Sequence, residues 1–451
     1  MREPSPVFAP AATPPEEPAA LTPDEQRKGM RAAQISQVLG AHLSLFLGYS
    51  AITPLYIKRL GGSDLHALLP SVFIALGAGL QLPVAMFVRP RNIRTFLVRC
   101  WFLSSLPVLF ALGMGLAFEP GPLAVGIVLT GVLASQAFGY IGATFWFPLL
   151  HDVVPPGQRG RFFGKMRAMW SAVYLVLGIF AGLFLGEEPP QWKFVAVLGG
   201  VTLLQFLREP FVARIPLRRH NPAPLNWRAD WRDAMSRRDL LAFIVYFSVL
   251  LFLSGFIGQP TVLYMRQLGY SAGQNTMIYA MSTVGSALAL LVAGVLIDRV
   301  GTKRVFLGVH LVLAALALGL AAAGELPRDI AAPLLTGLLI VSGAALAVSS
   351  LASTTQIFHL TPERNKPFCM NLATSLTMLG AGLSPMLTGI ILDSRLGGAV
   401  LKVGPLEIGM LQVLFISAGL GLLLAISLLP FVQDMHPGAK IMEDGGDVPA
   451  V

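Results

Sequence analysis

The chain has 451 residues, of which 54% are hydrophobic and 13% charged, and its mean hydropathy is +0.67. Soluble domains carry about 25% charged residues, so these values exclude an ordinary water-soluble enzyme or binding module and point to an integral membrane protein. The formal net charge of +9 raises a nucleic-acid partner only until its distribution along the chain is considered.

Residues 1–31, MREPSPVFAPAATPPEEPAALTPDEQRKGMR, hold seven prolines and mixed charge. With no short apolar core before a cleavage site, this stretch is expected to be a disordered cytoplasmic tail rather than a secretory signal. A helix crosses hydrocarbon with its backbone satisfied once it has about 20 predominantly apolar residues. Runs of that length recur at roughly 33–57, 67–88, 95–117, 123–150, 168–186 and 193–212. They resume at roughly 240–264, 276–297, 305–324, 332–358, 371–393 and 409–432. None shows the alternation of a barrel strand. The expected fold is therefore all-α and integral to the membrane, with twelve transmembrane helices in two six-helix bundles.

The longest connection, residues 213–239, divides an N-terminal bundle (32–212) from a C-terminal bundle (240–432), and residues 433–451 form a C-terminal tail. Within that connection WRADWRDAMSRRDLL has the aromatic and basic content of a membrane-surface helix, or of a plain tether with an interfacial anchor. With the N-terminus inside, only Lys58, Arg59, Lys193, Arg266, Arg328, Arg395 and Lys402 of the 33 Lys and Arg fall on the outer side. Such a bias is the positive-inside rule. It predicts a multi-pass protein of the inner (cytoplasmic) membrane with both termini cytoplasmic, and it assigns the net charge to topology and to lipid contacts rather than to nucleic acid. Cys100 and Cys369 lie near cytoplasmic span ends, where no disulfide is expected.

Between the eighth and ninth runs stands GVLIDRVGTKRV, residues 294–305, four charges in an otherwise apolar region. A carboxylate at the C-terminal end of a helix gains nothing from the helix dipole, so Asp298 needs another partner. The start of the fifth span, with Arg159 and Arg161, and Arg299 itself are the candidates. Gly301 suits a tight turn, and Lys303 with Arg304 suits anionic lipid heads or plain solvation. The connection RPRNIRTFLV, residues 89–98, occupies the same place after span two, and HDVVPPGQRGRFFG (151–164) matches the place of HLTPERNKPFCM (359–370).

Gly294, Leu296, Asp298, Arg299, Gly301, Lys303 and Arg304 together resemble the cytoplasmic loop motif of the major facilitator superfamily of secondary transporters, and PPGQRGRFFG resembles its companion loop. The first-half copy departs from the motif, with Val88 where Asp298 aligns and Arg91 where Gly301 does. The resemblance implies two pseudo-symmetric bundles, alternating access, and a latch of Asp298, Arg299, Gly301, Lys303, Arg304, Arg159 and Arg161 that closes the cytoplasmic side.

It also implies a central cavity lined by spans one, four, seven and ten. Their polar and aromatic residues include His42, Tyr49, Gln136, Tyr140, Trp146, Tyr246, Gln259, Tyr264 and Gln356, a neutral set suited to a small neutral or amphipathic organic solute. The alternatives are a proton-coupled efflux antiporter using His42, whose ring titrates near neutral pH, and a transporter-like sensor that moves nothing. Neither a phosphate-binding glycine loop, nor zinc-type spacing, nor a nucleophile elbow occurs. An enzyme or ATP-driven pump is not expected, nor any cofactor, and the chain is expected to act as a monomer.

Overall fold

The computed structural model describes residues 21–155, 158–217, 227–361, 366–404 and 406–434. Eleven helical segments are long and apolar enough to span a membrane, and a twelfth is the bent pair Pro23–Gly48 and Ile52–Arg59. In chain order the spans are this pair, Asp64–Phe87, Ile93–Ala117, Pro122–Leu150, Arg161–Leu185, Gln191–Ala213, Arg238–Gln267, Ala272–Val300, Thr302–Ala323, Arg328–Leu360, Phe368–Asp393 and Met410–Phe431. Each coincides with one apolar run. Large apolar side chains such as Phe110, Phe180 and Leu424 point outward from the bundle, as lipid-facing positions require.

The first span departs from expectation at its start. Its helix begins at Pro23, inside the stretch expected to be a tail, because Thr22 and Glu25 form a reciprocal capping box and Pro occupies the first turn. Residues 1–20 lie outside the described residues, as do 435–451 of the expected C-terminal tail. The first span bends by 45° between Gly48 and Ile52. The carbonyl of Phe46, freed at the break, accepts the hydroxyls of Ser50 (2.7 Å) and Thr53 (2.9 Å), so it is not orphaned in hydrocarbon. Span seven is interrupted between Gly255 and Pro260.

Spans one to six and seven to twelve repeat the same neighbour relations. Pairs two–four, three–four and three–six recur as eight–ten, nine–ten and nine–twelve. In the second half the crossing of spans eight and ten is so close that a Cβ on Gly285 would overlap the carbonyl of Ile340, and one on Gly343 the carbonyl of Ser282. Small residues at such crossings let backbones meet, and Ser286 adds a hydrogen bond to Gly343 O at 2.9 Å.

Across the two halves, span two packs on span eleven and span five on span eight. We call the face bearing residues 21 and 434 the basic face. On it the connecting helix Trp227–Ser236 touches both partners of the first cross-half pair, with Trp227 against Phe87 and Trp231 against Phe368. This helix lies within the central connection, of which residues 218–226 lie outside the described residues.

On the opposite face the halves are sealed. The glycines of span five meet span eight there: a Cβ on Gly178 would lie 2.7 Å from the Ala280 methyl, and one on Gly273 would lie 2.5 Å from Gly182 O and 2.7 Å from Gly186 O. The Gly273 N–H donates to Gly186 O at 2.8 Å. The Asp393 carboxylate, ending span eleven, accepts the first N–H groups of span two at Asp64 (3.0 Å) and Leu65 (3.3 Å), where a helix N-terminus favours negative charge. Asp64 in turn pairs with Lys58 at 2.8 Å.

Candidate functional site

Between the halves lies a cavity of about 840 Å³. Its lining comes from the basic-face portions of spans one, three, four, five, six, eight and ten, from Gln37 and Trp101 through Arg208 to Phe358. The cavity therefore opens toward the basic face and ends beneath the glycine seal. Trp101, Trp146, Phe147, Phe163, Trp170 and Phe358 supply aromatic wall, and Ser44, Ser104, Ser135, Gln136, Thr354 and Thr355 supply neutral polar groups. Ser44 donates to Gln136 at 2.9 Å, tying span one to span four.

Of the nine anticipated cavity residues, Tyr49, Gln136, Tyr140 and Trp146 line this space. The other five do not. His42 is fully buried within the first half and stacks on Tyr174, and neither ring nitrogen has a hydrogen-bond partner. Tyr246 is held by His310 at 3.0 Å and by Phe306. Gln259 donates to the Tyr279 hydroxyl at 3.1 Å, and Tyr264 packs on Phe415. Gln356 accepts Thr302 at 2.6 Å and donates to Gln433 O at 2.8 Å, so it secures the turn between spans eight and nine. No residue of span seven lines the cavity; Tyr246 and Tyr264 pack within their own half instead.

The turn at residues 298–304 is tighter than its charges suggested. Span eight runs to Val300 and span nine begins at Thr302, so Asp298 and Arg299 sit on the last turn of one helix and Lys303 and Arg304 on the first turn of the next. Gly301 alone makes the break, with φ at +80°, a backbone conformation that favours glycine. The Lys303 N–H donates to Asp434 at 3.2 Å. Asp298 is exposed at the cavity mouth and makes no hydrogen bond or ion pair among the described residues. Arg161 lines a separate basic-face pocket with Asp24, Arg27, Lys28 and Arg31, and the side chain of Arg159 lies outside the described residues. The corresponding first-half connection has no glycine break; Asn92 caps span three instead.

Two lining residues were absent from the expected set. Arg208 lies on span six and is 3% exposed. Its guanidinium rests 3.4 Å from the centre of the Trp101 ring, and a Cβ on Gly40 would collide with it, so Gly40 makes its slot. It donates to Gln205 (3.2 Å), Ser36 (3.4 Å) and Gln37 (3.4 Å). A charge in a span costs at least about 2.5 kcal/mol; stacking on tryptophan returns about 1–2 kcal/mol when desolvated, and hydrogen bonds to the charged group return more. Arg167 of span five lines the same cavity half-buried. The available signal was the i, i+3 pair Gln205 and Arg208, more than a helical turn from the end of span six.

The two six-span halves enclose a cavity open at one face and sealed at the other. The Major Facilitator Superfamily model matches residues 243–446, and the full-length fold agrees. The nucleoside transporter NupG superposes with a TM-score of 0.62 at 14% identity, covering 91% of this chain and 100% of that one. A bacterial homologue of the iron transporter ferroportin in an inward-facing state gives 0.61 at 16% identity, covering 90% and 98%. A bacterial metal transporter gives 0.59 at 16%, covering 90% and 97%. No curated protein matches the sequence. The second half of the chain is thus similar to the Major Facilitator Superfamily, and the whole chain shares the fold of these transporters.

Proposed function

We propose that this protein is a secondary active or facilitative transporter that moves a small amphipathic organic solute by alternating access. In this reading it works as a monomer in an inner (cytoplasmic) membrane, with its basic face and both termini in the cytoplasm, as the positive-inside bias favours. The observation that carries the reading is the cavity between the halves, reached from one face only. Its tryptophan and phenylalanine walls with a few polar groups suit an organic solute. Among the described residues no three of His, Cys, Asp and Glu gather as metal ligands would. His42, away from the cavity, gives a direct proton relay no support.

Purified protein in liposomes should show saturable uptake of at least one member of a broad labelled solute panel. Uptake of none, together with cysteine labelling from one side only under all conditions, would favour the sensor alternative.

The state described is open to the basic face, with Asp298 unpaired. Asp298 acts as a latch only when that face closes. Asp298→Asn then removes an interaction worth about 1–2 kcal/mol from the closed form and shifts the ratio of the two states roughly 5- to 30-fold. A single cysteine at Thr354 on the cavity wall, in a background lacking Cys100 and Cys369, should label faster in the Asn variant. Unchanged labelling and unchanged transport would leave Asp298 as a solvated helix end.

A further inference from the structure

We infer that the cavity holds the anionic group of its solute, a carboxylate or phosphonate-type oxyanion on an aromatic or aliphatic body, between Arg208 and Arg167. The inference rests on the transporter reading above and narrows its substrate class.

A guanidinium has five N–H donors in a planar fork. Arg208 commits its Nε–H to Ser36, one N–H of Nη1 to Gln205 and one of Nη2 to Gln37. One N–H remains on each Nη, the pairing that receives an oxyanion in bidentate fashion. All three acceptors are neutral, so they fix the fork without cancelling its charge. Glu209, next in the chain, interacts electrostatically with Arg208 but makes no ion pair within 4 Å of it among the described residues and does not line the cavity. One Glu209 oxygen is itself buried without a hydrogen-bond partner.

Arg167 makes no hydrogen bond, ion pair or ring contact among the described residues, yet it lines the same cavity. An arginine stays protonated at any physiological pH, so neither cation can shed its charge in a wall that is otherwise aromatic and neutral. The single carboxylate among the described lining residues, Asp298, stands at the mouth. Inward from it the field is positive, and a low-dielectric surround strengthens its pull on an anion. Trp101 stacks beneath the Arg208 fork, and Trp146 packs on Trp101 at 5.4 Å between ring centroids, so apolar surface adjoins the charge. That juxtaposition fits one molecule with an acidic head and an apolar body.

The test compares isosteric probes on the purified full chain: naphthalene-2-carboxylate and phenylphosphonate against the neutral naphthalene-2-carboxamide. Binding is read by calorimetry and by quenching of tryptophan fluorescence. The wild type should bind at least one anion ten-fold or more tightly than the carboxamide. Arg167→Gln should weaken the anion about ten-fold and leave the carboxamide unchanged. Arg208→Gln should do the same or more, and Arg208→Lys should recover only part of the loss because the fork is gone.

Arg167 has no partners to lose among the described residues, so its variant remains informative even if Arg208→Gln folds poorly. Equal binding of anion and amide, no saturable binding of either anion, or anion binding indifferent to Arg167→Gln would each overturn the assignment. A lipid phosphate offers the same chemistry. Loss of probe binding in phosphatidylglycerol nanodiscs relative to phosphatidylcholine ones would reassign the site to a headgroup, whereas equal binding supports a free solute. Anion binding that survives without any uptake in liposomes would sink the transport reading and leave the site standing.

Discussion

Gly273→Val should abolish the outer seal and with it most transport. At this position the obstacle is backbone: a Cβ would lie 2.5 Å from Gly182 O and 2.7 Å from Gly186 O, with the Gly186 N at 3.1 Å. No side chain can swing aside, so spans five and eight must separate, and the Gly273 N–H to Gly186 O hydrogen bond is stretched. Overpacking of this kind costs about 2–3 kcal/mol. The cost falls only on the conformation in which the outer face is closed, so the ratio of states moves roughly 30- to 150-fold toward outer opening. A membrane-impermeant maleimide added from the outer side should then reach a single cysteine placed at Gln259, which is 4% exposed in the closed state. Uptake should fall by more than ten-fold. Protection of that cysteine with normal uptake would show that the glycine contact is incidental to the seal.

Gly285→Leu should act on stability rather than on the cycle. Spans eight and ten belong to the same half, and their crossing places the Gly285 Cβ position inside the Ile340 carbonyl, while Gly343 meets Ser282 in the same way. A leucine there forces the two helices apart in every conformation and strips the Ser286 hydrogen bond from Gly343 O. The expected loss is about 3 kcal/mol, the upper end for overpacking. It should be read as a lower thermal midpoint in detergent, with no preference for labelling from either side. A variant that keeps its midpoint but changes labelling would move this crossing from the rigid half to the moving parts.

The seven turn residues 298–304 show how far a pattern reaches. Their charges marked a boundary between two spans, because charged side chains end hydrocarbon spans, and Gly301 was legible as a turn because only a residue without a Cβ takes φ near +80° comfortably. That the turn is one residue long, and that Asp298 faces a cavity mouth without a partner among the described residues, depends on helices distant in sequence. The glycines at 178, 182 and 186 were readable as a packing stripe, since small residues at spacing four lie on one helix face. Which helix they meet was not readable, because the partner glycine, Gly273, belongs to the other half.

Arg208 and His42 divide the matter most clearly. By sequence His42 stood among the cavity candidates, and Arg208 lay near the end of span six with no role assigned. Helix rotation turns His42 into the packed interior of the first half, against Tyr174, and turns Arg208 over Gly40 and onto Trp101 at the cavity wall.

The sequence by itself determined the number of spans, most of their ends within a few residues (the starts of spans one and five excepted), the six-plus-six division and the crowding of cations on one face. These follow from the free energy of burying apolar and charged groups in hydrocarbon, which each segment meets alone. The tertiary structure alone decided which face of each helix lines the cavity, which half meets which, and that two arginines stand there. Those depend on contacts between spans that are far apart in the chain, and hydropathy carries no information about rotation around a helix axis once a span is apolar on every side.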